Sequence, residues 1–318
     1  MSKKRAVLGI DTSNYTTSVG IIDLEGSLIA NLKRPLPVKA GERGLRQSDA
    51  LFAHTVNIPQ IMREANDFTS QYEIVAVGVS STPRKQEGSY MPCFLSGVAC
   101  AESICAVNRL PLYKFSHQCG HIMAAVYSSG AFELLDRSFG AFHISGGTTE
   151  LVRVTPANFG FCAELLGGTA DLNAGQVIDR VGVYMGMKFP CGAQMELEAI
   201  RNDKKIPKKK ISIKNMEVNL SGLENMAIKL YRETSDVPLT CAFVFDYIGR
   251  AISSLIEAYY EVYGEEKIIL AGGVMSNSII KKMLSEKYNV SFAEPALSAD
   301  NAVGIAALTL RAYSGSDK

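Results

Sequence analysis

The sequence lacks several features that would assign it directly to a common class of protein. It has no run of about 18 consecutive apolar residues, so we expect no transmembrane helix and no membrane partner. It has no excess of one charge, since 33 Lys and Arg stand against 32 Asp and Glu, and a net charge of +1 creates no overall field that attracts nucleic acid. None of the seven cysteines forms a Cys-x-x-Cys pair, and the count is odd. We therefore expect reduced, mostly buried thiols and a cytoplasmic location.

The composition is that of a folded protein with room for two domains. Apolar residues make up 47% of the 318 residues and charged residues 20%, which excludes a disordered chain. The predicted elements form a meander of strands followed by alternating helices and strands, including a long amphipathic helix over Phe245–Tyr263, and this order occurs twice. We predict a duplicated α/β fold with an N-terminal domain over 1–116 and a C-terminal domain over 117–318. A closing helix over 301–313 could pack back on the first domain.

A histidine pair directly follows an apolar run over residues 110–115. His117 and His121 are two of only four histidines. On a helix, residues four apart lie on one face, so both imidazoles could bind one transition metal. Two helical histidines at this spacing are equally consistent with a structural role at the surface. A metal site needs a third ligand, which the spacing alone does not identify.

Three glycine-containing turns follow predicted strands, and each is suited to a phosphate. Glycine lets backbone amides approach a phosphate, and small hydroxyl residues supply further donors. In the first turn, Asp11 could hold a metal or orient a water. In the third turn, Asn277 could instead simply cap the helix that it opens. The turns are Leu8-Gly-Ile-Asp-Thr-Ser13, Ile144-Ser-Gly-Gly-Thr-Thr149 and Leu270-Ala-Gly-Gly-Val-Met-Ser-Asn277.

A compact basic segment lies in the second half of the chain. It contains Lys204, Lys205 and three consecutive lysines at 208–210, with Lys214 beyond them. Two interpretations stay open at this point. The segment is either a solvated surface loop or a contact for the phosphate backbone of RNA.

Taken together, these motifs resemble those of a known family. Gly9-Ile-Asp-Thr-Ser13, the Ser145-Gly-Gly147 hairpin and Gly272-Gly-Val-x-x-Asn277 are similar to the phosphate and adenosine motifs of the actin, hexokinase and Hsp70 superfamily. With His117-x-x-x-His121 and Asp300-Asn301, they resemble the tRNA threonylcarbamoyladenosine transferase family (TsaD), formerly classed as glycoproteases of peptidase family M22. The resemblance spans residues 6–310. It implies duplicated domains with mixed five-stranded sheets and a nucleotide and metal cleft between them.

The resemblance also implies an activity and a set of site residues. The family transfers a threonylcarbamoyl group from threonylcarbamoyl-adenylate to N6 of adenosine 37 of tRNA. By resemblance, iron or zinc would be held by His117, His121 and Asp300, and Asp11 would be catalytic. Expected partners are tRNA, a paralogous subunit and an ATPase. The adenylate, or an ATP- or ADP-like nucleotide, would be bound by His143, Ile144, Ser145, Gly146, Gly147, Asp179, Gly192, Glu196 and Asn277.

The chain departs from the family pattern at several positions. The glutamate that the family carries between its histidines is replaced by Cys119, and a lysine late in the family pattern is replaced by Glu224. The pattern also differs over 14–17 and 81–85. We interpret the chain as a divergent member, the alternative being a non-catalytic or altered-substrate paralogue that binds a nucleotide and a metal. A metalloprotease is disfavoured, because the pair lacks the glutamate of His-Glu-x-x-His.

Overall fold

The computed structural model describes residues 3–13, 15–37, 45–84, 88–157, 160–298 and 302–316. Strands and helices alternate along the chain in the α/β order that the sequence predicts. The strands are β1 Lys4–Asp11, β2 Thr16–Asp23, β3 Leu28–Pro35, β4 Tyr72–Thr82, β5 Leu112–Ser116, β6 Phe139–Ile144, β7 Thr149–Ala157, β8 Gly160–Thr169, β9 Ile213–Lys214, β10 Glu217–Val218, β11 Ile268–Ala271 and β12 Val290–Phe292. The helices are α1 Gln47–Thr69, α2 Phe94–Asn108, α3 His117–Ser129, α4 Ala174–Tyr184, α5 Gly192–Ile200, α6 Ser221–Thr234, α7 Val237–Tyr263, α8 Ser278–Ser285, α9 Pro295–Ser298 and α10 Val303–Ser316, with short 3₁₀ turns at Phe132–Asp136 and Gly273–Ser276.

The chain forms two compact units whose bounds differ from a division at residue 116. Helix α3 belongs to the first unit, because it packs on α10, which in turn covers the first sheet. The predicted return of the closing helix to the N-terminal part of the chain agrees with this packing. The first unit comprises Met1–Asp136, Thr155–Ala163 and Ala296–Lys318, and the second comprises Arg137–Val154 and Glu164–Pro295.

The first sheet is the mixed five-stranded sheet that the sequence predicts. Its order is β3-β2-β1-β4-β5, with β1, β2 and β3 antiparallel and with β4 and β5 parallel to β1. Helix α10 lies so close to this sheet that side chains are excluded from the contact. A Cβ on Gly9 would lie 2.4 Å from the backbone nitrogen of Ala306, and one on Gly20 would lie 2.8 Å from the carbonyl of Ala302.

The second sheet repeats the first and adds a hairpin. Strands β8-β7-β6-β11-β12 have the same order as β3-β2-β1-β4-β5, which is the duplication seen in the sequence pattern. The sheet has seven strands, not the predicted five, because the β9–β10 hairpin pairs onto the edge of β8. The turn of this hairpin is at Asn215 and Met216, both with positive φ (52° and 56°).

Helix α7 is the central element of the second core. By length and composition, its 27 residues could cross a membrane, and it is the only such helix in the described ranges. However, most of its residues are buried among the apolar side chains of the second unit. Its start is fixed by Asp236, whose side chain accepts a hydrogen bond from Leu239 N at 2.9 Å. This packing explains its apolar composition without a membrane.

The close contact between α3 and α10 gives a testable prediction. A Cβ on Gly304 would lie 1.8 Å from the backbone oxygen of Gly120, so Gly304→Ala forces the two helices apart. We expect the free energy of unfolding to fall by about 1–3 kcal/mol. Gly315→Ala, on the same helix with open space around the new Cβ, should instead leave stability unchanged or raise it by up to about 1 kcal/mol. Urea denaturation of both variants measures this, and equal effects would contradict the packing.

Candidate functional site

The two histidines of α3 bring their imidazole nitrogens together. The helix begins directly after β5, and Ser116 caps it by accepting a hydrogen bond from Cys119 N at 3.2 Å. His117 and His121 are therefore on the first and second turns of a capped helix, on the same face. Their Nε2 atoms are 2.9 Å apart, and both rings are half-buried. The two ring nitrogens thus face one common point.

Asp11 lies behind His117 at the end of β1. Its carboxylate is fully buried, and Oδ2 is 3.3 Å from His117 Nδ1. Ser13 Oγ donates to Oδ2 at 2.7 Å, and Ser80 Oγ donates to Oδ1. Burial alone raises the pKa of Asp11, but the charge of His117 and the hydrogen bonds from His117, Ser13 and Ser80 outweigh it, and the pKa is lowered. Asp11 is therefore an ionised carboxylate that fixes the His117 ring.

This geometry fits two ligands of one metal ion. Nitrogen ligands about 2.0–2.1 Å from one ion lie about 2.9 Å from each other at an angle of 90° and about 3.4 Å at the tetrahedral angle usual for zinc, so the observed separation of 2.9 Å corresponds to the smaller angle. A carboxylate on Nδ1 leaves the Nε2 lone pair of His117 for the ion, as metal-binding histidines require. Within the described ranges, no third His, Cys, Asp or Glu completes a metal-binding group. The predicted third ligand, Asp300, lies outside the described residues.

Cys119 does not take part in the histidine site, although it stands between the two ligands in sequence. Its thiol donates to the carbonyl of Phe161 at 3.2 Å, and its side chain is buried. The third residue of the helix points away from the face that His117 and His121 share. The family's glutamate position is therefore filled here by a core thiol.

A pocket of about 340 Å³ in the second unit collects many of the other predicted residues. Five of the nine predicted nucleotide-binding residues line it, while His143, Ile144, Ser145 and Gly147 do not. Its walls include four glycines and four apolar side chains, which sequence patterns alone did not assign as a set. The pocket is lined by Gly146, Gly175, Ile178, Asp179, Pro190, Gly192, Ala193, Glu196, Phe245, Gly273, Val274, Ser276 and Asn277.

Two carboxylates hold the pocket together through helix starts. Asp179, on α4, accepts from Cys191 N at 2.8 Å and so fixes the start of α5. Glu196, on α5, accepts through Oε1 from the backbone N and the hydroxyl of Ser278, at the start of α8. In the described part of the chain, the second oxygen of each carboxylate has no hydrogen-bond partner. Each carboxylate therefore has a structural bond and a remaining acceptor.

Cys191 contributes its backbone and not its thiol to this pocket. Burial raises the pKa of the Cys191 thiol, and the charge of Asp179 raises it further. The thiol stays protonated and packs against Gly182, where a Cβ would lie 2.4 Å from the Cys191 Cβ. It is a core side chain with no role as a nucleophile.

Asn277 has the same dual character on the opposite wall. Its Oδ1 accepts from Ile280 N at 3.0 Å and caps α8, as the sequence predicts. Its Nδ2 is buried and has no hydrogen-bond partner within the described residues. An unpaired buried donor costs free energy unless a ligand accepts from it. Because Asn277 lines the pocket, its amide nitrogen marks a position for a ligand acceptor.

The glycines of the turns serve two different purposes. Gly272 has φ 103°, and a Cβ there would lie 2.2 Å from the carbonyl oxygen of Ile144, so the close approach of two turns requires it. At Gly146, Gly192 and Gly273, in contrast, an added Cβ would meet nothing within 4 Å. These three glycines keep space open in front of the pocket wall.

The four predicted residues outside the lining have structural positions. Ile144 is buried in the second core, and His143 is half-buried beside it on β6. Ser145 Oγ accepts from Gly147 N at 3.3 Å, so this amide is engaged within the turn. Of the predicted amides, Gly146 is thus the one at the pocket surface.

Two lining residues that sequence analysis missed, Gly175 and Phe245, come from helices without a recognised motif. Gly175 lies so close to Gly146 that a Cβ would be 2.7 Å from its backbone nitrogen. Phe245 reaches the pocket from the middle of α7 and was predicted only as the start of a helix. The capping box of Asn173 and Gln176, which encloses Gly175, is the signal that could have indicated it.

Over most of its length, the chain is similar to sequences whose descriptions name the same tRNA modification. A family model described as tRNA N6-adenosine threonylcarbamoyltransferase matches residues 40–307. A protein of that name from Streptococcus sanguinis is 29% identical over 298 residues, which cover 89% of this chain and 84% of that protein. A "probable bifunctional tRNA threonylcarbamoyladenosine biosynthesis protein" from Thermoplasma volcanium is 25% identical over 88% of this chain. The chain spans about half the length of that archaeal relative, 50%.

Solved structures support the fold. HypF from T. kodakarensis superimposes with a TM-score of 0.59 at 13% identity, over 99% of this chain and 48% of that chain. A ROK family glucokinase from Streptomyces griseus, in complex with glucose and AMPPNP, gives 0.50 at 12% identity, over 96% and 98% of the two chains. These likenesses confirm the predicted actin, hexokinase and Hsp70 type of α/β fold.

The two functions of Asn277 can be separated by substitution. Asn277→Ser keeps an oxygen that caps α8 but removes the amide donor, so we expect unchanged thermal stability. We expect adenosine nucleotides to bind about 5- to 100-fold more weakly, because one hydrogen bond of about 1–3 kcal/mol is lost. Calorimetric titration with AMP measures the affinity. Wild-type affinity in a stable Asn277→Ser protein would show that the amide does not contact the ligand.

Proposed function

The chain belongs to the tRNA N6-adenosine threonylcarbamoyltransferase family, and we propose that it transfers a threonylcarbamoyl group from threonylcarbamoyl-adenylate to N6 of adenosine 37 of tRNA. The observation that carries this proposal beyond family membership is the lining of the pocket in the second unit. Asp179, Glu196 and Asn277 each combine a structural hydrogen bond with a group left over for a ligand.

The lining favours the nucleoside part of an adenylate. Carboxylate oxygens of Asp179 and Glu196 can accept from ribose hydroxyls, and the amide of Asn277 can donate to an acceptor on the ligand. Apolar side chains such as Phe245 suit the face of a base. No Lys or Arg is among the lining residues in the described chain. A single phosphate fits this lining better than the triphosphate of ATP, which would need more positive charge.

The proposed reaction is an acyl transfer with one bond made and one broken. The N6 amine of the adenosine attacks the carbamoyl carbon and forms a C–N bond. The bond from that carbon to the phosphate oxygen breaks, and AMP leaves with the electron pair. The N6 nitrogen loses one proton to the solvent or to a nearby base. AMP is a stable leaving group, so the site must mainly position the two substrates and exclude water.

His117, His121 and Asp300 would hold the metal ion, as the resemblance implies. When bound, iron or zinc would supply a Lewis acid that polarises an oxygen of the substrate. The structure suggests a different role for Asp11 from the predicted catalytic one. Asp11 is fully buried against His117, Ser13 and Ser80, so we assign it the role of a positioning residue that fixes the tautomer of His117.

The charge reversal at Glu224 is compensated locally. Glu224 Oε2 is 3.2 Å from Arg180 Nη1, and Arg180 follows Asp179 of the pocket on α4. The pair is partly exposed, and such pairs contribute little to stability. Glu224 therefore has a partner within the protein, and its presence does not by itself favour the non-catalytic alternative.

The proposed partners follow from the family. They are tRNA, the adenylate, a paralogous subunit of the same superfamily and an ATPase, in the cytoplasm.

Reconstitution tests the proposed reaction. Purified protein, a tRNA that reads ANN codons and an adenylate-forming synthase are incubated together. Threonylcarbamoyladenosine is then measured by mass spectrometry of the digested tRNA. We expect threonylcarbamoyladenosine to form only when this protein is present. A parallel reaction also contains the expected paralogous subunit and ATPase. Glu224→Lys, run beside wild type, should retain activity if the only role of Glu224 is its ion pair with Arg180. Nucleotide binding without product in every mixture would favour the non-catalytic alternative.

Metal binding gives a separate prediction. Elemental analysis should find about one iron or zinc per chain, and His121→Ala should lose it, because one imidazole leaves the ion without a stable set of ligands. His143→Gln, which removes the one half-buried histidine of the second unit, is the matched control and should keep the metal. Asp11→Asn should weaken metal affinity about 10- to 100-fold. Equal metal content in His121→Ala and His143→Gln would contradict the site.

A further inference from the structure

We propose that the segment Lys204–Lys214, called here the basic ridge, binds the phosphate backbone of the RNA substrate. This inference rests on the proposed function for the identity of the RNA. The ridge contains six lysines and no acidic residue, in a chain whose net charge is only +1. The segment is fixed on the protein, most of its charge is uncompensated, and it begins a short way along the chain from the pocket.

Apolar anchors hold the ridge on the second unit. Ile206, Ile211 and Ile213 are partly buried and pack against the core cluster of this unit. The lysines between them are exposed at 204, 205, 208, 209, 210 and 214. This alternation distinguishes the ridge from a solvated loop, in which the apolar side chains would have no fixed contact. The backbone is thus held with its lysines outward.

Polar contacts fix the same segment at its start and near its middle. Asn202 accepts from Lys204 N at 3.3 Å and donates to Lys204 O at 2.8 Å. Arg250, on α7, donates to the carbonyl oxygen of Lys209 at 2.8 Å. An ordered backbone loses little conformational entropy on binding, so its charges can contribute directly to affinity.

Most of the positive charge on the ridge is uncompensated. Lys204 pairs with Asp236 at 2.6 Å, and this pair raises the pKa of Lys204 and lowers that of Asp236. The other five lysines have no carboxylate partner within the described residues. On a surface whose charges serve only solubility, lysines are interspersed with acidic residues. Five unpaired cations on a fixed backbone are instead suited to a polyanion, whose bound counterions they would release.

The ridge begins one helix length from the nucleotide pocket. Gly192, Ala193 and Glu196 line the pocket from the first half of α5, and three residues, 201–203, separate the end of that helix from the ridge. Nine helical residues span about 13 Å. A nucleotide in the pocket and a phosphate on the ridge are therefore separated by a distance that one folded RNA can bridge. The ridge would position the RNA, while the pocket holds the group to be transferred.

RNA is favoured over an anionic membrane as the partner. Segments that lie on membranes insert apolar side chains alongside their basic residues. Here the isoleucines of the ridge face the core of the protein, and its exposed residues are lysines, with Ser212. The ridge therefore offers charge without an inserting face.

The test compares the removal of three positive charges from the ridge with the removal of three positive charges elsewhere on the protein. The triple variant Lys208→Gln, Lys209→Gln, Lys210→Gln changes three exposed side chains whose loss breaks no described side-chain contact. The control triple variant Lys3→Gln, Lys4→Gln, Lys282→Gln has the same net charge, with the substitutions at exposed positions outside the ridge. A third protein carries Arg at 208, 209 and 210. Fluorescence anisotropy measures binding of full-length protein to a tRNA transcript from about 0.05 to 0.2 M KCl, the range over which phosphate contacts are salt-sensitive.

We expect the ridge variant to bind tRNA at least tenfold more weakly than wild type at low salt. Its slope of log affinity against log salt should be smaller by about 2–3, since each lost phosphate contact removes about 0.7–0.9. The control and the arginine variant should bind like wild type. In the transfer reaction, KM for tRNA should rise while kcat stays unchanged.

Two results would overturn the inference. One is equal tRNA binding by the ridge variant and the control. The other is wild-type protein that binds vesicles of phosphatidylglycerol and phosphatidylcholine but not tRNA. The proposed function is tested separately by product. Wild type that binds tRNA through the ridge but forms no product with adenylate supplied would contradict the reaction and leave the ridge in place.

Discussion

A fully buried carboxylate must be compensated, and the first unit is arranged around this requirement at Asp11. A buried ion without partners costs several kcal/mol, so the groups that approach it are fixed as firmly as the core. Ser80 brings β4 to the end of β1, and His117 brings the start of α3 to the same carboxylate. The ring proposed to bind the metal through Nε2 is therefore the same ring that approaches the buried carboxylate through Nδ1. Structure and site depend on the same hydrogen bonds.

The second unit uses carboxylates in a comparable way, but at helix starts and in partial contact with solvent. Asp179 and Glu196 bind the backbone amides that begin α5 and α8, where unsatisfied N–H groups and the helix dipole favour negative charge. Each carboxylate fixes a wall of the pocket and keeps one oxygen for a ligand. The walls of the pocket are thus fixed by hydrogen bonds within the protein, which lowers the entropic cost of binding a ligand there.

Much of the fold could be predicted because its signals are local. Strand meanders, glycine turns and the caps at Ser116 and Asn277 are visible in short stretches of sequence. Helix α7 was predicted only from Phe245, although Asp236 caps it nine residues earlier and Pro238 follows in its first turn. Helix α6 was missed although Leu223, Ala227 and Leu230 recur at helical spacing, because its start has no local cap and is bound by the distant Asp171, which accepts from Leu220 N and Ser221 N.

The site was harder to predict where it depends on contacts between distant segments. The pairing of Asp179 with Cys191 and of Glu196 with Ser278 leaves no trace in local patterns, and neither does the position of Phe245. The family resemblance supplied Asp179, Glu196 and Asn277 as site residues, and the structure supplies the physical reason for their side chains.

Label transfer is the most direct test of the central claim, with the carbamoyl carbon of threonylcarbamoyl-adenylate labelled and one turnover followed in the presence of tRNA. The account predicts that the label appears on N6 of a tRNA adenosine in the same amount as AMP is released. Release of AMP with the label in bicarbonate or in a threonine carbamate free in solution, and none in tRNA, would contradict it.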